Sequence, residues 1–198
     1  MIVGRKISVQ AATALLAMFA AVLLLAAMPS PAAALSWSLP ATDLSDGPAN
    51  NASRSQVAVA ADGATIVVWS RSNGSHTIIQ ARTRRAGSGT FSAAINLSAA
   101  GQDASNPQVA MAANGATAVI WTRSDGSNSI VQTRTRPAGS AAFGVLESLS
   151  VVGQNALGVQ VAIGTDGATT VVWSRSDGSN LIVQARTRPA GSVTLLPL

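Results

Sequence analysis

Three tryptophan–arginine pairs, Trp69/Arg71, Trp121/Arg123 and Trp173/Arg175, recur at a constant spacing of 52 residues. The members of a pair are two apart, so on an extended strand they share a face, and a guanidinium stacked on an indole is electrostatically favourable. A second set, Gln80-Arg82-Arg84, returns as Gln132-Arg134-Arg136 and Gln184-Arg186-Arg188 with the same alternation. Such a ladder of identical aromatic and cationic groups suits a repetitive ligand such as an anionic polysaccharide, because several weak sites act together. Trp69, Arg71, Trp121, Arg123, Trp173 and Arg175 are therefore the candidate ligand-binding residues. A scaffold role competes with this one, with tryptophans as core between packed layers and arginines decorating outer strands or pairing with turn aspartates. Duplication copies scaffold and site alike, and the scaffold role is the heavier of the two.

Catalytic and metal chemistry find little support. A paired-carboxylate glycosidase needs two acids in one cleft. Glu147 is the only glutamate, and its partners Asp43, Asp46 and Asp103 stand at no telling spacing. His76, the single histidine, occupies a polar turn where the later copies carry Asn128 and Asn180, and it lacks the partners of a triad or a metal site. The Asp-Gly turns lack the alternating acidic ligands of a calcium loop. The sequence predicts no catalytic residue, no metal and no cofactor.

The elements that must position these residues are repeats. The chain divides into a leader, residues 1–34, and a repeat domain, residues 35–198, with units at 44–96, 97–148 and 149–198. A period near 52 belongs to solenoids, propellers or arrays. In the leader, Arg5 and Lys6 form a positive start, no charge interrupts Ile7 to Met28, Pro29 and Pro31 break the run, and Ala32-Ala33-Ala34 offers a cleavage site. These are the marks of a secretory signal peptide cleaved after Ala34; uncleaved, the segment would anchor the chain in a membrane. The expected location is secreted or cell-surface. Cysteine is absent, which excludes disulfides and thiolate zinc sites. Beyond residue 34, eleven arginines face eight carboxylates in an even spread, too weak a basic excess for nucleic acid.

Each unit holds four apolar stretches divided by turn signals. In the first they are Gln56–Ala60, Ala64–Arg71, Thr77–Arg84 and Thr90–Leu97. Asp62-Gly63, Asn114-Gly115 and Asp166-Gly167 predict tight type I′ hairpins, and Asn73-Gly74, Asp125-Gly126 and Asp177-Gly178 mark the next turns. Short strands joined by short turns make an up-and-down antiparallel sheet. Ile66-Val67-Val68-Trp69 is apolar on both faces, so the sheet must be covered on both sides. Stacked four-stranded blades meet that need better than a β-helix.

The run Pro107-Gln108-Val109-Ala110, Asn114-Gly115, Val119-Ile120-Trp121 and a Gly-x-x-Phe-Ser tail ending in Leu-Ser resembles the blades of sialidase-like, BNR/Asp-box β-propellers of secreted bacterial proteins. Gly87, Thr90 and Phe91 match the end of the Asp-box, while Arg84 and Ala86 replace its serine and aspartate, and Gly139 and Phe143 alone survive in the second copy. The resemblance implies an all-β partial propeller. A hydrolase of that family uses a tyrosine nucleophile with a glutamate partner; tyrosine is absent here. Closed propellers have four to eight blades, against three encoded here. Trp37–Ser45 reads as a displaced fourth strand matching Phe91–Ser98, and the third copy runs out at Gly191–Leu198. A piece of a longer array, an open arc and a homodimer closing a six-bladed ring all fit. The expected function is a non-enzymatic binding module for polysaccharide or another cell-surface component. A fragment of a sialidase-like hydrolase lacking its catalytic blades, or an extracellular spacer, are the alternatives.

Overall fold

The computed structural model describes residues 37, 40–45 and 51–192. The chain forms two compact units, residues 1–42 and 43–198. The expected signal peptide lies outside the described residues, as do 46–50 and 193–198. Trp37 and residues 40–45 carry no strand, so the fourth strand expected over Trp37–Ser45 is not formed there; Ser38 and Leu39 are outside the described residues.

The described part of the second unit is all β, in three antiparallel sheets. Sheet 1 runs β1 (Ala52–Val59), β2 (Thr65–Ser72), β3 (Thr77–Arg84) and β4 (Ile95–Asn96) in sequence order. Sheet 2 repeats it as β5 (Ala104–Met111), β6 (Thr117–Ser124), β7 (Ser129–Arg136) and β8 (Glu147–Ser148). Sheet 3 comprises β9 (Ala156–Ile163), β10 (Thr169–Ser176) and β11 (Leu181–Arg188) among the described residues. The β-branched runs set this alternation: Ile66 and Val68 face one side, Val67 and Trp69 the other.

Two local expectations need correction. At the first hairpin only Gly63 has a positive φ, 85°, whereas a type I′ turn needs two such residues. Gly63 N donates to Ala60 O at 3.0 Å and Ala60 N to Ala64 O at 2.8 Å. This is a three-residue loop, a type I turn followed by a left-handed glycine. Asp62 Oδ1 accepts from Ala64 N at 2.9 Å, so the aspartate holds the turn through its side chain instead of its own φ.

The fourth strand is also shorter than Thr90–Leu97. Ser92 N reaches Thr83 O at 2.7 Å, but ladder pairing resumes only at Ile95↔Ala81 and Asn96↔Gln80. Leu97 then buries its side chain, and Ser98 Oγ accepts from Ile79 N at 2.9 Å. The recurrent Leu-Ser pair thus finishes the edge of β3, one residue filling the core and the next satisfying a backbone donor. Leu149 and Ser150 do the same for Val131.

Every first strand carries a bulge. Pairing slips between Ser53 and Gln56 and between Ser105 and Gln108, with Arg54 (φ 56°) and Asn106 (φ 54°) left-handed; Gly158 (φ 60°) takes that place in sheet 3. One extra residue per strand bends and twists it.

The sheets pack face to face in sequence. β5 lies against β1, β2 and β3, and β9 against β5, β6 and β7. Between sheets 1 and 2, Ile66, Val68, Ile79 and Leu97 meet Ala104, Val119 and Trp121. Between sheets 2 and 3, Ile120, Val131 and Leu149 meet Ala156, Val159, Val171 and Trp173. Every position in the second list except Val159, which stands where sheet 2 has Pro107, is a 52-residue translation of one in the first, so the same interface is built twice. Each large aliphatic so buried contributes about 1.5–3 kcal/mol. Sheet 2, covered on both sides, has the most enclosed strand: all of Thr117–Thr122 is buried. Among the described residues no helix is long and apolar enough to cross a membrane.

Candidate functional site

Register fixes where the predicted ligand ladder points. Trp69 pairs with Gln80, Val67 with Arg82 and Thr65 with Arg84, so tryptophan and the Gln-x-Arg-x-Arg set share one face. In sheets 2 and 3 that face is turned toward the preceding sheet. Trp69, Trp121 and Trp173 are 3%, 0% and 2% exposed. A sugar stacks on an exposed aromatic face, and these faces are occupied by protein. Trp173 Nε1 donates to Gln184 Oε1 at 3.1 Å. In the other two copies the glutamine amide turns away, Gln80 Nε2 donating to Asn96 Oδ1 at 2.8 Å and Gln132 Nε2 to Ser148 Oγ at 3.3 Å.

The arginines that follow the tryptophans, Arg71, Arg123 and Arg175, are half-buried near the second turn. Arg175 Nη1 donates to Gln154 Oε1. The described cation–π contacts involve other residues. Arg84 lies over Phe91 and Arg136 over Phe143, each 5.6 Å from the ring centroid. Repetition marked these arginines as interesting, but it could not say that the phenylalanines of the fourth segment were their partners.

The same end of sheets 2 and 3 holds a cleft. It has a volume of about 470 Å³ and opens between the hairpin ends of sheets 2 and 3. Asn114 and Arg136 stand on the sheet 2 side, Asp166 and Arg188 on the sheet 3 side, and Val145 and Ile163 add apolar wall. That volume lies within the range of small-molecule sites, and apolar walls with a few polar groups are their usual lining.

Glu147 makes this cleft chemically distinct. Arg188 Nη2 donates to Glu147 Oε1 at 2.6 Å, and Nη1 to Thr135 Oγ1 at 2.5 Å. Arg188 thus reaches across from sheet 3 to sheet 2. Its counterparts stay within their own sheets: Arg84 Nη2 donates to Thr65 Oγ1 and Arg136 Nη2 to Thr117 Oγ1, both at 3.2 Å. The first repeat carries Ile95 where the second carries Glu147, which explains the change of partner. Burial lowers the pKa of Arg136 from its ordinary value. Glu147 is thus already engaged, and Asp166 Oδ1 accepts from Ala168 N at 3.0 Å within its own turn.

At the opposite end, side chains clip one sheet to the next. Asp103 Oδ1 accepts from Thr77 N at 2.7 Å, and Asn155 Oδ1 from Ser129 N at 2.9 Å. His76 Nδ1, in the turn before β3, lies 3.6 Å from the same Asp103 Oδ1. Among the described residues no group of three histidine, cysteine or acidic side chains is placed to hold a metal ion. No protein-family model matches this chain, and no curated protein matches it.

Proposed function

We propose that this is an exported, non-enzymatic repeat protein whose sheets are blades of a partial β-propeller, and that it binds carbohydrate. The blade reading is supported by the stacking of three like sheets whose first strands, β1, β5 and β9, run beside one another. The binding reading rests on one observation: the 470 Å³ cleft between sheets 2 and 3, which sets Asn114, Asp166 and Arg136 beside Val145 and Ile163. Sugars present both hydroxyl groups and apolar C–H faces, and such a mixed lining serves both. The site therefore moves from the tryptophan ladder to the cleft, where polar groups are open to a ligand. Absent tyrosine and the engagement of Glu147 by Arg188 favour binding over hydrolysis.

A panel of neutral and anionic oligosaccharides, read by glycan array and calorimetry, tests this. Binding by the parent protein should fall at least about tenfold when the exposed Val145 is replaced by tryptophan to fill the cleft, a change of about 1.4 kcal/mol. A protein that binds no glycan in the panel, or binds one equally well with Val145→Trp, would sink the reading.

A further inference from the structure

The turn before the third strand of each sheet exists in two forms. It reads Asn73-Gly74-Ser75 in the first repeat, but Asp125-Gly126-Ser127 and Asp177-Gly178-Ser179 in the others. In both forms Oδ1 of the first residue accepts from two backbone N–H groups. Ser75 N and His76 N reach Asn73 at 3.0 and 2.8 Å, and Ser127 N and Asn128 N reach Asp125 at 3.0 and 2.7 Å. Asp125 also uses its second oxygen: Oδ2 accepts from Gly153 N at 3.1 Å, tying the sheet 2 turn to the loop that leads into sheet 3. Gly101 is the equivalent of Gly153 and has a like left-handed backbone, φ 95° against 86°. Asn73 cannot make the matching tie. With Oδ1 occupied, its remaining side-chain atom is Nδ2, and a donor does not bond a backbone N–H.

Asparagine is a labile residue, most of all before glycine, which has no side chain to shield its nitrogen from the neighbouring amide carbon. Asn73 and Gly74 are both exposed. The two N–H donors on Asn73 Oδ1 polarise the side-chain carbonyl and stabilise the oxyanion that attack at Cγ creates. Gly74 N is held by a side-chain hydroxyl, Ser72 Oγ, at 3.1 Å. The other Asn-Gly pair, Asn114-Gly115, is more firmly tied. Gly115 N donates to Ala112 O at 2.9 Å inside the hairpin, and Ala116 N donates to Asn114 Oδ1 at 3.0 Å. Asp62 and Asp166, its counterparts, accept the same bond from Ala64 N and Ala168 N, so an acid at 114 would repeat a contact that the amide already makes.

We infer that Asn73 is a deamidation site, and that its aspartate product ties the sheet 1 turn to Gly101 as Asp125 ties the sheet 2 turn to Gly153. Gly74 N attacks Cγ of Asn73, the bond from Cγ to the amide nitrogen breaks, and ammonia leaves carrying the Gly74 proton. Water then opens the cyclic imide at Cγ, which returns the proton to Gly74 N, restores the ordinary main chain and leaves a carboxylate. Opening at the other carbonyl gives isoaspartate, whose longer main chain does not fit the turn. Water is the only co-reactant. The finished form is already present in the second repeat. There the N–H groups of Asn128, Ser127 and Gly153, in that order, lower the pKa of Asp125, so the turn holds the charged acid. This maturation of the turn stands apart from carbohydrate binding.

The test holds the full chain, freshly purified and folded, at mildly alkaline pH. Peptide mapping by mass spectrometry follows the amide-to-acid exchange at Asn73 and Asn114, and chromatography separates aspartate from isoaspartate. Asn73 should convert about two- to tenfold faster than Asn114, a margin set by the backbone hydrogen bond that Gly115 must release. Asn73→Asp, made directly, should slow amide exchange at Gly101 about fivefold, the protection of one added hydrogen bond. Asp125→Asn is the reverse change and should speed exchange at Gly153 by about the same factor. Asn73 converting no faster than Asn114, isoaspartate as its sole product, or Gly101 exchange unmoved in Asn73→Asp would each overturn the proposal.

Discussion

The Arg188–Glu147 pair bridges sheets 2 and 3, and its removal should loosen sheet 3 from sheet 2. Glu147→Ala leaves a guanidinium that is almost wholly enclosed, its side chain 9% exposed, without a carboxylate. Stripping one partner from a buried pair costs about 3–5 kcal/mol. The Glu147 side chain is 21% exposed, so water replaces part of what is lost. That brings the expected cost to about 2–3 kcal/mol. Arg188→Met strands the more accessible partner and should cost less, about 1–2 kcal/mol. If the pair acts as a unit, the double variant falls short of the sum by about 1–2 kcal/mol. Glu147→Ile has a precedent in the first repeat, where Ile95 stands and Arg136 turns to Thr117. Arg188 has Thr169 opposite it in register, so it can make the same retreat, and the isoleucine variant should be milder than alanine. Urea unfolding followed by tryptophan fluorescence gives the energies, and amide exchange in β9–β11 locates the weakening. Single variants that each cost under about 0.5 kcal/mol, with no coupling, would show a screened surface contact and refute this account.

Three more outcomes follow from the same geometry. Trp121→Ala removes a fully buried indole from the contact of sheets 1 and 2 and should cost about 3–5 kcal/mol in urea unfolding; a near-neutral result would mean the indole is not core. Arg54→Gly relieves a left-handed residue at the first bulge and should raise stability by about 0.5–1 kcal/mol, while Asn106→Gly should change little because asparagine tolerates that conformation. Asp125 and Asp177 have pKa values lowered chiefly by backbone N–H groups, those of Asn128 and Asn180 first. A carboxylate depressed in the folded state stabilises above its unfolded value, and that stabilisation is lost as pH falls through the folded one. Stability should therefore decline below about pH 4, and Asp125→Asn should flatten the decline. The turn should survive, because Asn73 already holds the equivalent turn by accepting from His76 N at 2.8 Å. An unchanged pH profile in Asp125→Asn would contradict this.

Much of the fold was legible because it repeats. The apolar second strands and Thr77–Arg84 follow from alternation and turn residues, and the doubly apolar Ile66–Trp69 stretch announced a sheet covered on both sides; β1 instead starts at Ala52, four residues before the expected Gln56–Ala60, because the bulge at Arg54 hides its alternation. The type of the first turn was not legible. Asp62-Gly63 has the composition of a type I′ hairpin, and the choice of a three-residue loop depends on the pairing of Ala60 with Ala64. The fourth strand shrank because Leu97 and Ser98 take over the edge of β3 after two paired residues. The site was the least legible. A buried and an exposed tryptophan have the same spacing, and only the register shows Trp121 directed into a sheet-to-sheet contact. The Arg188–Glu147 bridge joins residues 41 apart across two repeats, and the single sign of it was the solitary glutamate replacing Ile95.

The clips formed by Asp103 on Thr77 and by Asn155 on Ser129 bear on how such a gene can change. The first two repeats are each finished by a side chain from the next, and sheet 2 meets its two neighbours through unlike faces. Recombination between near-identical repeats that deletes or inserts one whole period, wherever the crossover falls, restores both the clip and the pair of faces. A change of even one residue within a strand would instead send every later side chain of that strand to the opposite face. Copy number can thus drift in whole units without any new core having to arise, while the period itself is held by packing.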